Sequence, residues 1–499
     1  IEAFPFHVPA AVARSTPSSS QGLETQGQDD RSGRLGCSAL SEVMDLSITN
    51  FNVVISVLGG WLVLFGTFSY LIKENLYLSE ALVSLLGGVT FTHVAKLLKP
   101  GEHAVSEDAV ASVTLDFSRL VLGVQLVLAG VQLPSRYLRT EWKSLCLLLG
   151  PGMIGMWTCT SAVVWLLVPD LPLVHALAIA ACITPTDPVL STTIVKGRFA
   201  EENVPEDLQQ IIVAESGAND GLGYPFLFLA LYLIKYTESD GNPASSEGGF
   251  GAALSLFFGQ TCVYVVLMSV FYGWVVGLLA QRLLHWAERR KYVERECFLL
   301  FPIGMAIFIL GTCGMVGSDD VLACFIAGNV FTWNDWFRLE TVEDPVQPAV
   351  DMMLNMAIFM WLGAVCPWES FWNSELVSPY RLVALGVLVL LLRRLPVILG
   401  LHRYIRQIQG PRQALFVGYF GPIGVSAIFY LYVGLEFLET LTDDDGQRAD
   451  AKQLGETMLV TIWFLIICSI VVHGTSVPIA KLGKSTYQRL FPRSVSLPA

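Results

Sequence analysis

Glu215, Ser216, Asn219 and Asp220 stand within residues 213–226, Val-Ala-Glu-Ser-Gly-Ala-Asn-Asp-Gly-Leu-Gly-Tyr-Pro-Phe, inside an apolar run (208–234) long enough to cross a bilayer. An ionisable side chain at membrane depth costs at least ~2.5–3.5 kcal/mol, so two carboxylates here need a compensating use, commonly a proton or cation pathway. On a helix Glu215 and Asn219 share a face at i,i+4, while Asp220 points about 100° further round. The two acids therefore need not share a partner. Burial penalises the ionised carboxylate, which sets proton and cation in competition for it. The plainer alternative is a structural polar network between helices, because Gly217, Gly221 and Gly223 also suit close packing.

Asp187 marks a second unusual stretch, Thr184-Pro185-Thr186-Asp187-Pro188. The two prolines remove backbone donors and push the residues before them out of the helical region, so the chain should break here. Unwound backbone at membrane depth is tolerated only where protein packs around it or a cavity borders it. The Asp187 carboxylate, the Thr184 and Thr186 hydroxyls and the freed carbonyls form a hard-oxygen set suited to a small alkali cation. Capping of the following half-helix is the plainer role for Asp187, and it is compatible with ion contact. A second break is expected in Gly418-Tyr419-Phe420-Gly421-Pro422-Ile423-Gly424.

Other intramembrane polar residues need partners. Arg393 and Arg394 lie deep in an apolar run and require a carboxylate or exposed carbonyls. One can snorkel towards the inner face, with Arg393 the candidate; the other should meet a buried acid, and Glu215 is the obvious one. Asp116 and Arg119, three residues apart, are expected to satisfy each other. His93 and His473 are expected to pack with a satisfied hydrogen bond rather than relay protons. The cluster Arg289–Lys291 and the group Trp333, Trp336 and Phe337 read as membrane-interface features.

Composition sets the context. Of 499 residues, 53% are hydrophobic and 15% charged, against roughly 25% charged in soluble chains. With a mean hydropathy of +0.55, this is an integral membrane protein. The net charge of −12 says little, because in a membrane the position of charge outweighs its sum. Ten cysteines are scattered without a CxxC and read as small buried side chains. Absence of a Walker loop, Gly-x-Ser-x-Gly and His-Glu-x-x-His argues against ATP-driven transport and an intramembrane hydrolase, so no enzyme activity and no cofactor are expected.

Thirteen apolar runs are expected to span, near 50–72, 78–98, 111–133, 144–168, 171–195, 208–234, 252–284, 297–317, 319–333, 350–367, 379–401, 413–437 and 457–480. With the N-terminus outside, the inside loops and C-terminal tail carry nineteen Lys and Arg and the outside loops six, as the positive-inside rule requires. The breaks fall in the fifth and twelfth runs. An offset of seven places equivalent spans in opposite orientations, predicting an all-α polytopic protein with spans one to six and eight to thirteen as inverted-topology repeats. The expected organisation is a disordered extracellular tail (1–45), a membrane domain (46–485) and a short cytoplasmic tail (486–499). The chain opens on Ile rather than Met, so a fragment or processed chain is expected, and its first residues lack the regions of a signal peptide.

TPTDPV, ESGANDGLGYPF, RRLP, GYFGPIGVSAIF and VVHGTSVP follow one another in order. Together they resemble the cation/proton antiporters, closest to the fungal plasma-membrane branch, which GVQLPSRYL also resembles; the likeness covers roughly residues 50–485. The resemblance implies crossed broken helices in a core domain beside a dimerisation domain, and hence a homodimer. It places the ion-binding aspartate on Asp220, the broken-helix aspartate on Asp187 beside Thr186, and Ser216 close to the ion beside Asn219. It places the structural acid on Glu215 and its arginine on Arg394. An Asn-Asp pair goes with electroneutral exchange in that family. About twenty residues follow the last span, where the fungal branch typically carries a long cytoplasmic tail.

The reading that follows is a plasma-membrane antiporter exchanging Na+, and also Li+ or K+, for H+ at Asp220, with the alkali cation held by Asp220 and Asp187. Its partners are these ions, the bilayer and a second copy, with no nucleic acid. Two other classes stay open: a channel-like or non-transporting cation sensor on a transporter fold, and a proton-coupled symporter of a small solute.

Overall fold

The computed structural model describes residues 50–97, 107–188, 190–191, 204–237, 249–443 and 446–490. The polar tail (1–45) lies outside them, as do Lys99, Lys196, Arg198 and Arg493 of the loop-charge count. Among the described residues each of the thirteen expected runs meets a helical segment. Eight helices are long and apolar enough to cross a membrane: Asn52–Lys73, Ala109–Gln132, Trp142–Leu167, Gly249–Arg289, Arg295–Met315, Val346–Val365, Pro379–Tyr404 and Ala449–Ile479. Three are shorter, Glu80–Val94, Leu173–Ile183 and Asp320–Phe331. Two consist of paired helices, Glu206–Gly221 with Gly223–Thr237 and Pro411–Tyr419 with Val425–Glu439. In chain order these are spans one to thirteen. The last helix continues to Leu490, past the expected end of the membrane domain.

Proline sets the interruptions. Span five stops at Ile183 because Pro185 has no N–H to continue the ladder. Span eleven breaks between Leu392 and Leu395, where Pro396 cannot donate to the Leu392 carbonyl. Span six, expected to be a single run, is interrupted at Leu222. Pro225 there offers no N–H to Gly221, and the Tyr430 hydroxyl donates instead to the Gly221 carbonyl at 3.3 Å and to that of Asp220.

The two halves repeat one packing scheme. Span two lies along span ten, and span nine along span three. Under an offset of seven, two corresponds to nine and ten to three, so these are one contact seen twice. Span five on six likewise matches span twelve on thirteen. Both members of the first pair cross backbone to backbone. A Cβ on Gly88 would come within 2.0 Å of the Met360 carbonyl oxygen, and one on Gly363 within 2.2 Å of that of Leu85. At the equivalent crossing, Gly328 faces the Val127 oxygen at 2.4 Å and Gly130 that of Phe325 at 2.7 Å. Without a hydrophobic drive between helices in lipid, such small-residue contact supplies the packing.

Several local expectations are corrected. Arg119 does not turn to the exposed Asp116; its Nε donates to Asp320 Oδ2 at 2.6 Å, with Nη2 bonding the same oxygen and the Leu310 carbonyl. A buried carboxylate 201 positions away in sequence outcompetes a solvated neighbour three away, because desolvation strengthens the pairing. Phe337 is fully buried in an aromatic cluster with Phe298, Phe331 and Trp336, so it plugs the interior rather than belting an interface. His93 is exposed in the last turn of its helix and is not a packed histidine. Cys146 and Cys297 are exposed, unlike the buried Cys182, Cys313, Cys324 and Cys366.

The glycine crossings are testable. Gly363→Ala should lower the melting temperature of the purified protein, reflecting an overpacking cost of ~1–3 kcal/mol. Gly304→Ala, whose Cβ meets nothing within 4 Å, should not lower it.

Candidate ion-binding site

The unwound residues of spans five and twelve meet and bond. Asp187 N–H donates to the Pro422 carbonyl at 3.0 Å. The Asp187 carboxylate accepts from Val425 N–H at 2.5 Å on one oxygen and from Leu190 N–H at 3.3 Å on the other. Asp187 thus caps the resumed half of span twelve, where exposed N–H groups and the helix dipole favour an anion, and holds Leu190 N–H in its own stretch. Its approach requires glycine opposite: a Cβ on Gly424 would lie 1.9 Å from the Asp187 Oδ2.

The carbonyl ends are met by Arg393. Its guanidinium donates to Thr184 O at 3.2 Å and Pro185 O at 3.0 Å, and also to Ile183 O and Gly421 O. At 2% exposure it does not snorkel. The two breaks offer it more acceptors than the membrane surface would require it to reach.

Span six closes the site from another side. Arg394 forks onto Glu215, Nη1 to Oε1 at 2.6 Å and Nη2 to Oε2 at 2.7 Å, and its Nε donates to Val417 O at 2.9 Å. Both side chains are buried. Asn219 bonds Thr186 twice, accepting from its N–H at 3.1 Å and donating to its hydroxyl at 2.8 Å. The Ser216 hydroxyl lies 3.1 Å from the same Thr186 hydroxyl. Thr184, by contrast, bonds back to Ala180 O at 2.7 Å.

Asp220 differs from all of these. It is fully buried, and neither carboxylate oxygen has a hydrogen-bond partner among the described residues. The Ser426 side chain and Asp187 are both within electrostatic reach of it. A carboxylate so placed needs a proton or a cation to neutralise it. The side chains gathered around it, Thr186, Asp187, Ser216 and Asn219, offer oxygen donors, which suit hard cations.

The family described as sodium/hydrogen exchanger, transmembrane, matches residues 62–481. The chain belongs to the sodium/hydrogen exchanger family. This exchanger-family chain is 35% identical over 449 residues to Na(+)/H(+) antiporter 2 of Zygosaccharomyces rouxii, covering 88% of this chain and 54% of that protein. It is 30% identical to a Na(+)/H(+) antiporter of Schizosaccharomyces pombe, covering 87% of this chain and 90% of that protein. The chain spans about half the length of several curated relatives it matches. Its fold is similar to that of the sodium proton antiporter MjNhaP1 of Methanocaldococcus jannaschii, with a TM-score of 0.60, 18% identity, and 85% and 99% of the two chains covered. In this exchanger-family chain the interrupted stretches of spans five and twelve meet at Asp187.

Sequence reasoning missed several residues of this exchanger site. Tyr430 bonds the carbonyls of Asp220 and Gly221, and Pro225 was the signal that those carbonyls would be orphaned. Asp319 caps span nine through Leu322 N–H at 2.9 Å, while its second oxygen is buried with no hydrogen-bond partner among the described residues. Ser469 of span thirteen contacts the twelfth-span break, which no spacing pattern announces, and His473, expected to pack with a satisfied hydrogen bond, does so against Tyr419 of the same break.

Two expectations follow. Gly424→Ala should displace the Asp187 carboxylate and remove ion transport by the reconstituted protein while leaving its membrane insertion intact. Arg394→Met should cost ~3–5 kcal/mol of stability by stranding Glu215, and Glu215→Gln in the same protein should recover part of it in a thermal melt.

Proposed function

We propose that the chain is a secondary antiporter exchanging Na+, and also Li+ or K+, for H+ by competition at Asp220. The observation that supports this is the Asp220 carboxylate, fully buried with both oxygens unpartnered among the described residues. The site holds two arginines, Arg393 and Arg394, against three acids, Asp187, Glu215 and Asp220. Two acids balance the arginines, which leaves one negative charge. One monovalent cation or one proton neutralises it, so the exchange is one for one and electroneutral.

In this reading Asp220 holds either ligand and never both, with Thr186, Asp187, Ser216 and Asn219 completing the cation's oxygen shell. Asp187 accepts backbone N–H groups as an ionised carboxylate, an acceptor-only oxygen ligand. Spans four, five, six, eleven, twelve and thirteen move as a core against the remainder, presenting Asp220 to each side in turn. Competition at one carboxylate couples the fluxes without another device. The assignment extends to a homodimer in the plasma membrane with the N-terminus outside and the C-terminus cytoplasmic, following the loop charges. A channel would conduct without saturating, and a symporter would need an apolar substrate pocket beside the acids.

The test is reconstitution in vesicles carrying a proton gradient. Added Na+ should dissipate the gradient in the wild type at a rate unaffected by membrane potential. Asp220→Asn should reach the membrane in normal amount and show no exchange; proton-coupled Na+ flux in that variant would overturn the mechanism. The apparent KM for Na+ should rise as the pH on the same side falls, because protons occupy the shared carboxylate, and a KM independent of pH would contradict competition.

A further inference from the structure

The break in span twelve frees backbone groups that Asp187 and Arg393 do not cover. Ile423 N–H donates to Ser469 Oγ at 2.7 Å. His473, one helical turn further along span thirteen, places Nε2 3.1 Å from the Tyr419 carbonyl and Nδ1 3.2 Å from Ser469 Oγ. Both side chains are buried, Ser469 fully and His473 to 4% exposure. Ser469 Oγ accepts from Ile423, so its own proton is free to go to His473 Nδ1. The neutral ring then carries its proton on Nε2 and donates to Tyr419. The Ser469 carbonyl also lies 2.9 Å from Nδ1; like the Tyr419 carbonyl it can only accept, so the tautomer that holds Tyr419 forgoes a donated bond there. With this tautomer one chain of bonds runs from Ile423 through Ser469 and His473 to Tyr419, tying the two ends of the break to a single turn of span thirteen.

We infer that Ser469 and His473 are positioning residues for the ion site, fixing the unwound segment of span twelve and with it the Val425 N–H that anchors Asp187. Val425 stands two residues beyond Ile423, and its N–H bond to the Asp187 carboxylate, at 2.5 Å, is shorter than that of Leu190, at 3.3 Å. A break free to shift at Ile423 turns that carboxylate relative to Thr186 and Asp220. Tyr419 is also held at its hydroxyl by Ser476 at 2.9 Å, so span thirteen grips the same residue twice. This inference rests on the exchange reading of the site and adds which residues set its affinity.

The experiment compares wild type, Ser469→Ala, Ser469→Thr, His473→Leu and His473→Gln, each purified and reconstituted. Two quantities are read: Na+ dependence of proton flux, and the Na+ concentration giving half the maximal shift in melting temperature in detergent. Ser469→Ala and His473→Leu should raise KM and the half-shift concentration about tenfold, the consequence of a buried donor or acceptor left unpaired, with kcat little changed. Ser469→Thr keeps the hydroxyl and His473→Gln keeps a donor near Nε2, so both should return towards the wild-type KM. The double variant should be no worse than the worse single, because the two bonds act in series. Wild-type KM and half-shift values in Ser469→Ala and His473→Leu would overturn the inference, as would a loss confined to yield or kcat. If His473→Leu fails to fold, Ser469→Ala, which removes a single oxygen, decides alone. A wild type that Na+ stabilises but that moves no Na+ against protons removes the exchange reading only, and the melting comparison still judges the clamp; a wild type indifferent to Na+ overturns both.

Discussion

Two helices interrupted at one depth in a membrane create a problem in electrostatics before they create a site. Each interruption exposes carbonyls on one side and N–H groups on the other, where water is not available to satisfy them. The chain places one cation at the carbonyl ends and one anion at the N–H ends. Arg393 collects four carbonyls from both breaks, and Asp187 accepts from the resumed half of span twelve and from Leu190 N–H in its own stretch. Neither charge is tolerable alone at this burial, and each is placed where partial charges of opposite sign converge. Remove either and the crossing loses its reason to hold together.

Around that crossing the remaining polar residues sort by whether they are satisfied. Glu215 is fully engaged by a bidentate guanidinium, and Asn219 spends both ends of its amide on Thr186. Asp220, one residue later in the same helix, makes no such bond. The turn between them, about 100° per residue, separates the fixed from the exchangeable. Pro225 leaves the Gly221 carbonyl without a helical donor at that point and the Tyr430 hydroxyl covers it, so the kink in span six introduces no competing acceptor without a donor.

Much of this was legible in the chain. Closely spaced prolines announced the break at Thr184–Asp187, buried acids announced the importance of span six, and run lengths announced thirteen segments. The offset of seven predicted a repeat that the paired crossings of spans two with ten and nine with three display. What sequence could not convey was partner choice over distance. Arg119 had a local acid available and took Asp320 instead. Arg393 had a route to the surface and took carbonyls donated by segments 28 and about 210 residues away. Both outcomes follow from where desolvation is complete, and only the packed fold specifies that place. His473 was expected only to pack with a satisfied hydrogen bond, and Ser469 was silent, since an apolar helix carrying scattered serines looks the same whether or not a broken segment lies against it.

The charge count at the crossing also bears on slippage. With two guanidinium groups and two carboxylates balanced, an unloaded core carries a bare charge and a loaded one carries none. Carrying a bare charge through low dielectric costs several kcal/mol, whereas a neutral core avoids that barrier. In the exchange cycle proposed above, the empty carrier is thereby held still and leaks little, because the return stroke waits for a passenger of either kind.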